Sequence, residues 1–343
     1  MNQYHSKIII WLYSGCILIF AMVIIGGVTR LTGSGLSITE WKLVTGTFPP
    51  LSEMQWQQEF AEYKLSPQFQ KINSNFNLED FKHIYFWEYF HRLIGRLIGL
   101  VFIFPFLFFY FKKEIDKKLL PKLIIIFLLG AWQGFLGWYM VKSGLQDNPF
   151  VSHYRLAIHL VNALITFGYI FWVALDLQFP STEKKSISKN VLLLSVSIFI
   201  LILIQITYGA FVAGLHAGHI FNTWPKMGDE WIASAVTAGF QQNGFEALFN
   251  DLSTVQFIHR TLGVIIFCLL FFVWLKRNNR NRMLNVEQKT AINVSMLIIV
   301  AQVLLGIFTL VYSVPVWLGV THQAGAFMIF SALIYQIHRL SKG

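Results

Sequence analysis

Phe86-Trp87-Glu88-Tyr89-Phe90-His91-Arg92-Leu93-Ile94-Gly95-Arg96 places a carboxylate, an imidazole and two guanidinium groups at the mouth of a long apolar run. Ionisable side chains cost roughly 2.5 to 3.5 kcal/mol each on membrane-insertion scales, so within an apolar span they normally face a bundle interior and mark a ligand, a pathway or a relay. A second copy, Gln256-Phe257-Ile258-His259-Arg260-Thr261-Leu262-Gly263, stands in the other half of the chain, also where an apolar run begins. Two such motifs predict a duplicated set of membrane-spanning helices.

Composition agrees with that reading. The 343 residues are 55% hydrophobic and only 13% charged, whereas soluble domains carry about a quarter charged residues. A bilayer core needs about 20 apolar residues per helix, and eight runs qualify, near 8–28, 87–111, 119–141, 156–175, 191–212, 255–275, 291–312 and 316–337. The expected fold is an all-α polytopic membrane protein with eight transmembrane helices. The first run is too long for a signal peptide and lacks a small-residue cleavage site, so it counts as a helix.

The formal charge of +10 points away from nucleic acid once its distribution is read. Lys112, Lys113, Lys117, Lys118 and Lys122 follow the second run; Lys184, Lys185 and Lys189 follow the fourth; Lys276, Arg277, Arg280, Arg282 and Lys289 follow the sixth. The segment 312–317 has no Lys or Arg, and 214–254 has only Lys226. By the positive-inside rule both termini are expected to be cytoplasmic, and the even-numbered helices enter from the outer face.

The halves echo one another. Gly209 to Leu215 closes the fifth run as Gly27 to Gly33 closes the first, Thr223-Trp224-Pro225-Lys226-Met227-Gly228 echoes Thr39-Glu40-Trp41, and Gln133-x-x-x-Gly137 matches Gln302-x-x-x-Gly306. Four helices per copy is an even number, so the copies share one orientation in the membrane. Two pseudo-symmetric four-helix bundles are therefore expected: residues 1–178 with a long outer loop over 29–86, a polar inner linker over 179–190, and residues 191–343. In the outer loop, Glu53 to Tyr63 reads as an amphipathic helix lying on the membrane surface.

His91, His159, His259 and His322 occur once in each even-numbered run, near its outer end. A lone histidine in a span is ordinarily an interhelical hydrogen-bonder, but four at one depth, paired by the repeat, invite a metal-centred reading. Each has a small residue one turn onward, Gly95, Ala163, Gly263 or Ala326, on its own helix face. That leaves room for a flat macrocycle, and two histidines from facing helices can ligate a haem iron. Zinc would need three or four converging ligands, and no carboxylate or cysteine cluster supplies them. His5, His83, His153, His216, His219 and His338 fall in tails, loops or helix ends and read as surface or interfacial groups. Cys16 and Cys268, the two cysteines of the chain, lie in apolar runs and read as packing residues.

One difference separates the copies: Glu88 stands three residues before His91, and its neutral isostere Gln256 three before His259. The first pocket thus has an acid on its ligand face, so chemistry is expected there and binding alone in the second. The competing reading pairs Glu88 with Arg92 at the interface. Arg30, Arg92, Arg96, Arg155 and Arg260 gather towards the outer face, where their planar forks suit haem propionates and where snorkelling to headgroups is the alternative.

These motifs resemble the haem A synthase family. The resemblance runs from the first run to the eighth. It is carried by Gly26-Gly27-Val28-Thr29-Arg30-Leu31-Thr32-Gly33-Ser34-Gly35-Leu36-Ser37 with Glu40-Trp41, by Glu88-Tyr89-Phe90-His91-Arg92, by Phe221-Asn222-Thr223-Trp224-Pro225-Lys226-Met227, and by His259-Arg260 and Thr321-His322-Gln323. It implies that His91 and His159 flank a substrate haem O, that His259 and His322 ligate a permanent haem b that passes electrons, and that Glu88 is the catalytic acid residue. The implied reaction takes one ring methyl to the alcohol and then to a gem-diol, which loses water to give the formyl group of haem A for cytochrome c oxidase. Implied partners are haem O synthase, oxidase assembly factors and membrane lipid, in a bacterial inner membrane; monomer and homo-oligomer are both compatible. No cysteine lies in 29–86, which matches the cysteine-free type found in proteobacteria and mitochondria and removes a thiol relay. The rival readings are a di-haem electron carrier of the b561 kind, which would place its haems near opposite faces, and a transporter, which would show broken helices at mid-membrane.

Overall fold

The computed structural model describes residues 3–40, 45–146, 148–180, 189–278 and 284–342. Trp41, most of the inner linker, and Lys184, Lys185, Arg280 and Arg282 lie outside the described residues. Those described are overwhelmingly helical, the sole extended pairing among them being the Met227–Glu230 bridge.

Among the described residues twelve α-helices follow one another: α1 (Gln3–Leu31), α2 (Glu53–Lys64), α3 (Pro67–Lys71), α4 (Leu78–Phe111), α5 (Leu119–Gly144), α6 (His153–Gln178), α7 (Lys189–Gly214), α8 (Ser234–Asn243), α9 (Ala247–Asn250), α10 (Leu252–Lys276), α11 (Val286–Val311) and α12 (Val316–Lys342). Eight of them, α1, α4, α5, α6, α7, α10, α11 and α12, are long and apolar enough to cross a membrane, in agreement with the eight expected runs.

The second span starts earlier than hydropathy predicts, at Leu78 rather than near 87. Residues 78–86 carry Glu79, Asp80, Lys82 and His83, which depress the hydropathy of any window. The helix nonetheless begins there, because Asn77 accepts from the Glu79 and Asp80 amides while Asp80 accepts from Asn77 N. This reciprocal cap satisfies amides that a helix start otherwise leaves bare.

By their contacts the residues form two compact units, Ser14–Thr166 and a second made of Met1–Tyr13 with Phe167–Gly343. In the first, the early turns of α4 support the outer loop. Phe60 and Tyr63 of α2 are buried against Phe81, Ile84 and Tyr85, and Ser52 with Gln55 caps the start of α2. The amphipathic helix expected over Glu53 to Tyr63 therefore exists, but its apolar side is covered by α4, because the rings of Phe81 and Tyr85 offer Trp56, Phe60 and Tyr63 a closer-packed partner. Tyr63 donates to Gln68 Oε1 at 3.1 Å and accepts from Asn73 Nδ2 at 2.8 Å, and Gln68 Nε2 donates to Gly33 O at 2.8 Å. That chain of bonds ties α3 to the turn that ends α1, where Gly33 takes a positive φ of 67° that other residues resist.

In the second unit, α7 packs on α10 and α12, and α11 packs on both of those. Asn222 Nδ2 donates to Gly218 O and Leu310 O, at 2.9 and 2.8 Å, closing the loop after α7 onto α11. His338 departs from its surface reading: it is fully buried, 3.3 Å from Asp176 Oδ1 and edge-on to Trp172. The last turns of α12 are covered by α6, so a residue near the chain end is interior. Cys16 is buried as expected, whereas Cys268 is exposed, being on a face of α10 turned away from its neighbours.

Candidate haem-binding and catalytic sites

The four span histidines share one local construction. Each imidazole lies against a glycine of the preceding span, so close that a Cβ there would crowd the ring. It would stand 3.3 Å from His91 Nε2 at Gly26, 3.2 Å from His159 Cε1 at Gly137, 3.1 Å from His259 Cε1 at Gly209 and 2.8 Å from His322 Cε1 at Gly306. Glycine is required at such contacts because only it lets a ring approach helix backbone.

In the second unit His259 and His322 face each other, ring centroids 6.5 Å apart and planes at 89°. A metal–imidazole nitrogen bond of about 2 Å puts a ligating ring's centroid about 3 Å from the metal, so rings on opposite sides of one iron stand about 6 Å apart. Both Nδ1 atoms are buried without a partner, an arrangement that costs free energy unless something else satisfies the site. This donor set fits a six-coordinate haem iron. It does not fit a zinc site, for among the described residues no three His, Cys, Asp or Glu side chains converge.

In the first unit the ring of His159 lies beside Gln133, whose Nε2 is 3.2 Å from Nδ1, and Asn162 Nδ2 in turn donates to Gln133 Oε1 at 2.7 Å. Glu88 is buried, 3% exposed. Its Oε2 accepts from Ser37 N and Ser37 Oγ, both at 2.7 Å, and from Ile38 N at 2.9 Å, and its Oε1 accepts from Arg92 Nη2 at 2.6 Å. Four donors, one of them cationic, hold it as a fixed carboxylate. At the corresponding place Gln256 donates to Phe221 O at 3.2 Å, and its Oε1 is buried and unpartnered.

The arginines have protein partners. Arg92 also donates to Ile38 O and Glu40 O, at 2.9 and 3.0 Å. Arg260 Nη2 reaches the carbonyls of Thr223, Pro225 and Lys226, at 2.8, 3.1 and 2.8 Å. Arg155 donates to Tyr139 O at 2.8 Å and lies over its ring. Arg92 and Arg260 thus pin the loop that follows α1 or α7, a role their matching positions in the two motifs could have signalled. Arg92 and Arg96 together line a cavity of about 400 Å³ with Glu40, Glu59, Tyr85 and Tyr89. Arg30, at the end of α1, is partly buried, with its Nε out of reach of solvent.

One sequence reading needs correction. Gly95 and Gly263 do not simply leave open space on the histidine face: a Cβ at Gly95 would be 3.8 Å from Met22 Cε, and one at Gly263 3.3 Å from Gln205 Nε2. They admit the neighbouring helix. Three of the glycines that the rings touch, Gly137, Gly209 and Gly306, each end a Gln-x-x-x-Gly segment, though nothing in the spacing linked them to the histidines. Of the remaining histidines, His83 and His219 are exposed, in keeping with surface roles.

Similarity to known proteins bears on this arrangement. A protein named heme A synthase from Flavobacterium psychrophilum is 50% identical over 98% of this chain and 99% of its own. One of the same name from Flavobacterium johnsoniae is 50% identical over the whole of both chains, and one from Nitrosospira multiformis is 44% identical over 98% of this chain and 94% of its own. Residues 9–334 match the COX15-CtaA family, described as cytochrome oxidase assembly protein. With that match spanning all eight apolar helices and both histidine motifs, the chain belongs to the COX15-CtaA family.

Proposed function

We propose that this protein is a haem A synthase that oxidises one ring methyl of haem O to a formyl group, in the bacterial inner membrane, with both termini cytoplasmic. The observation that carries the reading is the opposed His259–His322 pair, whose centroid separation suits one iron between two imidazoles. Haem b held there would supply one-electron redox chemistry, taking up electrons released by the substrate. The two halves of the sequence would derive from one four-helix ancestor, with residues 1–178 serving the substrate and 191–343 the cofactor.

His91 and His159 would flank haem O, and each already rests against a backbone cradle that fixes its ring. The conversion would be two successive two-electron oxidations of the methyl carbon, to the alcohol and then to the gem-diol, each adding the oxygen of one water and releasing two protons and two electrons to an external electron acceptor, after which the gem-diol loses water. Glu88 would place a fixed negative charge beside the carbon as positive charge develops on it. With all four hydrogen bonds made, the carboxylate is better suited to that electrostatic part than to taking a proton, since a preorganised charge needs no rearrangement during reaction. Arg30, Arg92, Arg96, Arg155 and Arg260 would be the candidates for propionate or interface contacts, and of these Arg92, Arg155 and Arg260 also hold backbone carbonyls. The absence of cysteine from 29–86 fits the family's cysteine-free type, with no thiol relay. Haem O synthase and oxidase assembly factors are the expected partners.

Coexpression with a haem O synthase tests the proposal. Haem A and haem b should copurify with the chain and be separable by chromatography of the extracted porphyrins; haem O recovered unchanged, with no haem A, would overturn it.

A further inference from the structure

Three of the four histidine seats carry a second device. Gln133 Nε2 donates to His159 O at 3.1 Å, Gln205 Nε2 to His259 O at 3.0 Å, and Gln302 Nε2 to His322 O at 3.0 Å. Each glutamine stands four residues before the glycine on which the ring rests, so amide and seat share one helix face. The odd helix thereby grips the ligand twice, by its ring edge and by its own carbonyl. That fixes both the rotation of the ligand helix and the plane of the imidazole.

At the fourth seat the residue four before Gly26 is Met22. It occupies the glutamine's place, since it faces Gly95 as Gln205 faces Gly263, each of these glycines lying one turn beyond its histidine. A thioether has no hydrogen to donate to the His91 carbonyl. Thr29 Oγ1 reaches Trp87 O one turn further out, at a long 3.4 Å. The unusual seat belongs to the same helix as Glu88.

We propose that this glutamine sets how firmly each ligand holds its iron, and that Met22 makes His91 the ligand built to let a haem exchange. The inference rests on the reading above, in which the first pair takes a substrate that must enter and leave while the second keeps its cofactor. Gln133, Gln205 and Gln302 are then positioning residues, acting through the histidines.

The test uses the full-length protein with its copurified haem and three variants, Gln205→Met, Gln302→Met and Met22→Gln. Interhelical hydrogen bonds in membranes are worth a few-fold in an equilibrium, so transfer of haem b to apomyoglobin should quicken by about threefold to tenfold in the first two. The g-values of the ferric low-spin resonance should shift as the imidazole plane is freed. Met22→Gln should slow release of added haem O by a similar factor and leave haem b release unchanged. If the glutamine variants match the parent in both release and g-values, or if Met22→Gln does not slow haem O release, the inference fails. Should the glutamine variants not accumulate in membranes, Met22→Gln, which adds a bond, decides alone. His259→Ala separates the two levels: retention of the haem b spectrum there would overturn the underlying reading, whereas its loss beside parent-like glutamine variants would overturn only this inference.

Discussion

Ser37 grips the Glu88 carboxylate twice, its backbone N–H and its hydroxyl both donating to Oε2 at 2.7 Å. The loop that follows α1 is therefore folded around a buried negative charge that belongs to α4, and Arg92 closes the other side. Placement of the acid and folding of the loop are one event.

Glu88→Gln is consequently not a neutral isosteric change. Its NH2 group must face either the Ser37 and Ile38 amides or the Arg92 guanidinium, all of them donors, and breaking a buried charge pair costs about 3 to 5 kcal/mol. Haem A formation is expected to vanish, and the variant should also be cleaved faster by protease between residues 33 and 40. Ser37→Ala removes one donor of four and should cost about 1.5 to 3 kcal/mol, leaving the protein assembled with reduced turnover. Extracted-haem chromatography together with limited proteolysis checks both; full haem A production by Glu88→Gln would refute a catalytic role.

Glycine seats give a graded expectation. A Cβ at Gly306 would stand 2.8 Å from His322 Cε1 and one at Gly209 3.1 Å from His259 Cε1, so Gly306→Ala must displace its ring further. Loss of low-spin haem absorbance is expected to be larger in Gly306→Ala than in Gly209→Ala, with His259→Ala removing it altogether. Visible spectra of the three purified proteins decide the order; equal spectra would mean that the rings do not ligate from these positions.

How much of this was legible in the sequence follows from the range of each signal. Span number came through because a 20-residue apolar run is a local property, and the His-Arg motifs came through because charge at a span mouth is conspicuous. The first turns of α4 were hidden because Glu79, Asp80 and Lys82 mask a helix whose cap, Asn77 with Asp80, is the better cue. Burial of His338 by α6 depends on residues far away in sequence, as do the carbonyl partners of Arg260. Glycine facing histidine across two helices has no sequence signature until the pairing of helices is known.

Arg260 supplies the next expectation. One guanidinium nitrogen serves three carbonyls of the loop 223–226 while its plane lies over Trp224. Lysine has three donors on one nitrogen but is shorter and has no flat face to lie over Trp224, so Arg260→Lys should lose part of this hold and Arg260→Ala all of it. Each charged hydrogen bond lost is worth about 1.5 to 3 kcal/mol. Faster proteolysis within residues 220–233 is expected in both variants, more so in Arg260→Ala, and ahead of any change at the outer loop of the first unit; an alanine variant as resistant as the parent would show that the loop holds itself.

Tyr63 offers a test by pH. Burial raises its pKa above the ordinary 10.0, the Asn73 hydrogen bond lowers it in part, and the charge of Glu88 raises it further. A group whose folded pKa is raised contributes stability in full below the unfolded pKa and loses it as pH climbs towards the folded one, because the unfolded chain gives up the proton first. The packing of α2 against α4 should therefore hold at neutral pH and weaken above about pH 10. Trp56, which meets Tyr85 edge to face, reports on this packing through its fluorescence. Tyr63→Phe should lower the stability of this region at neutral pH, since Gln68 and Asn73 lose their shared partner, and should flatten its alkaline dependence. An unchanged alkaline transition in that variant would assign the titration to another group.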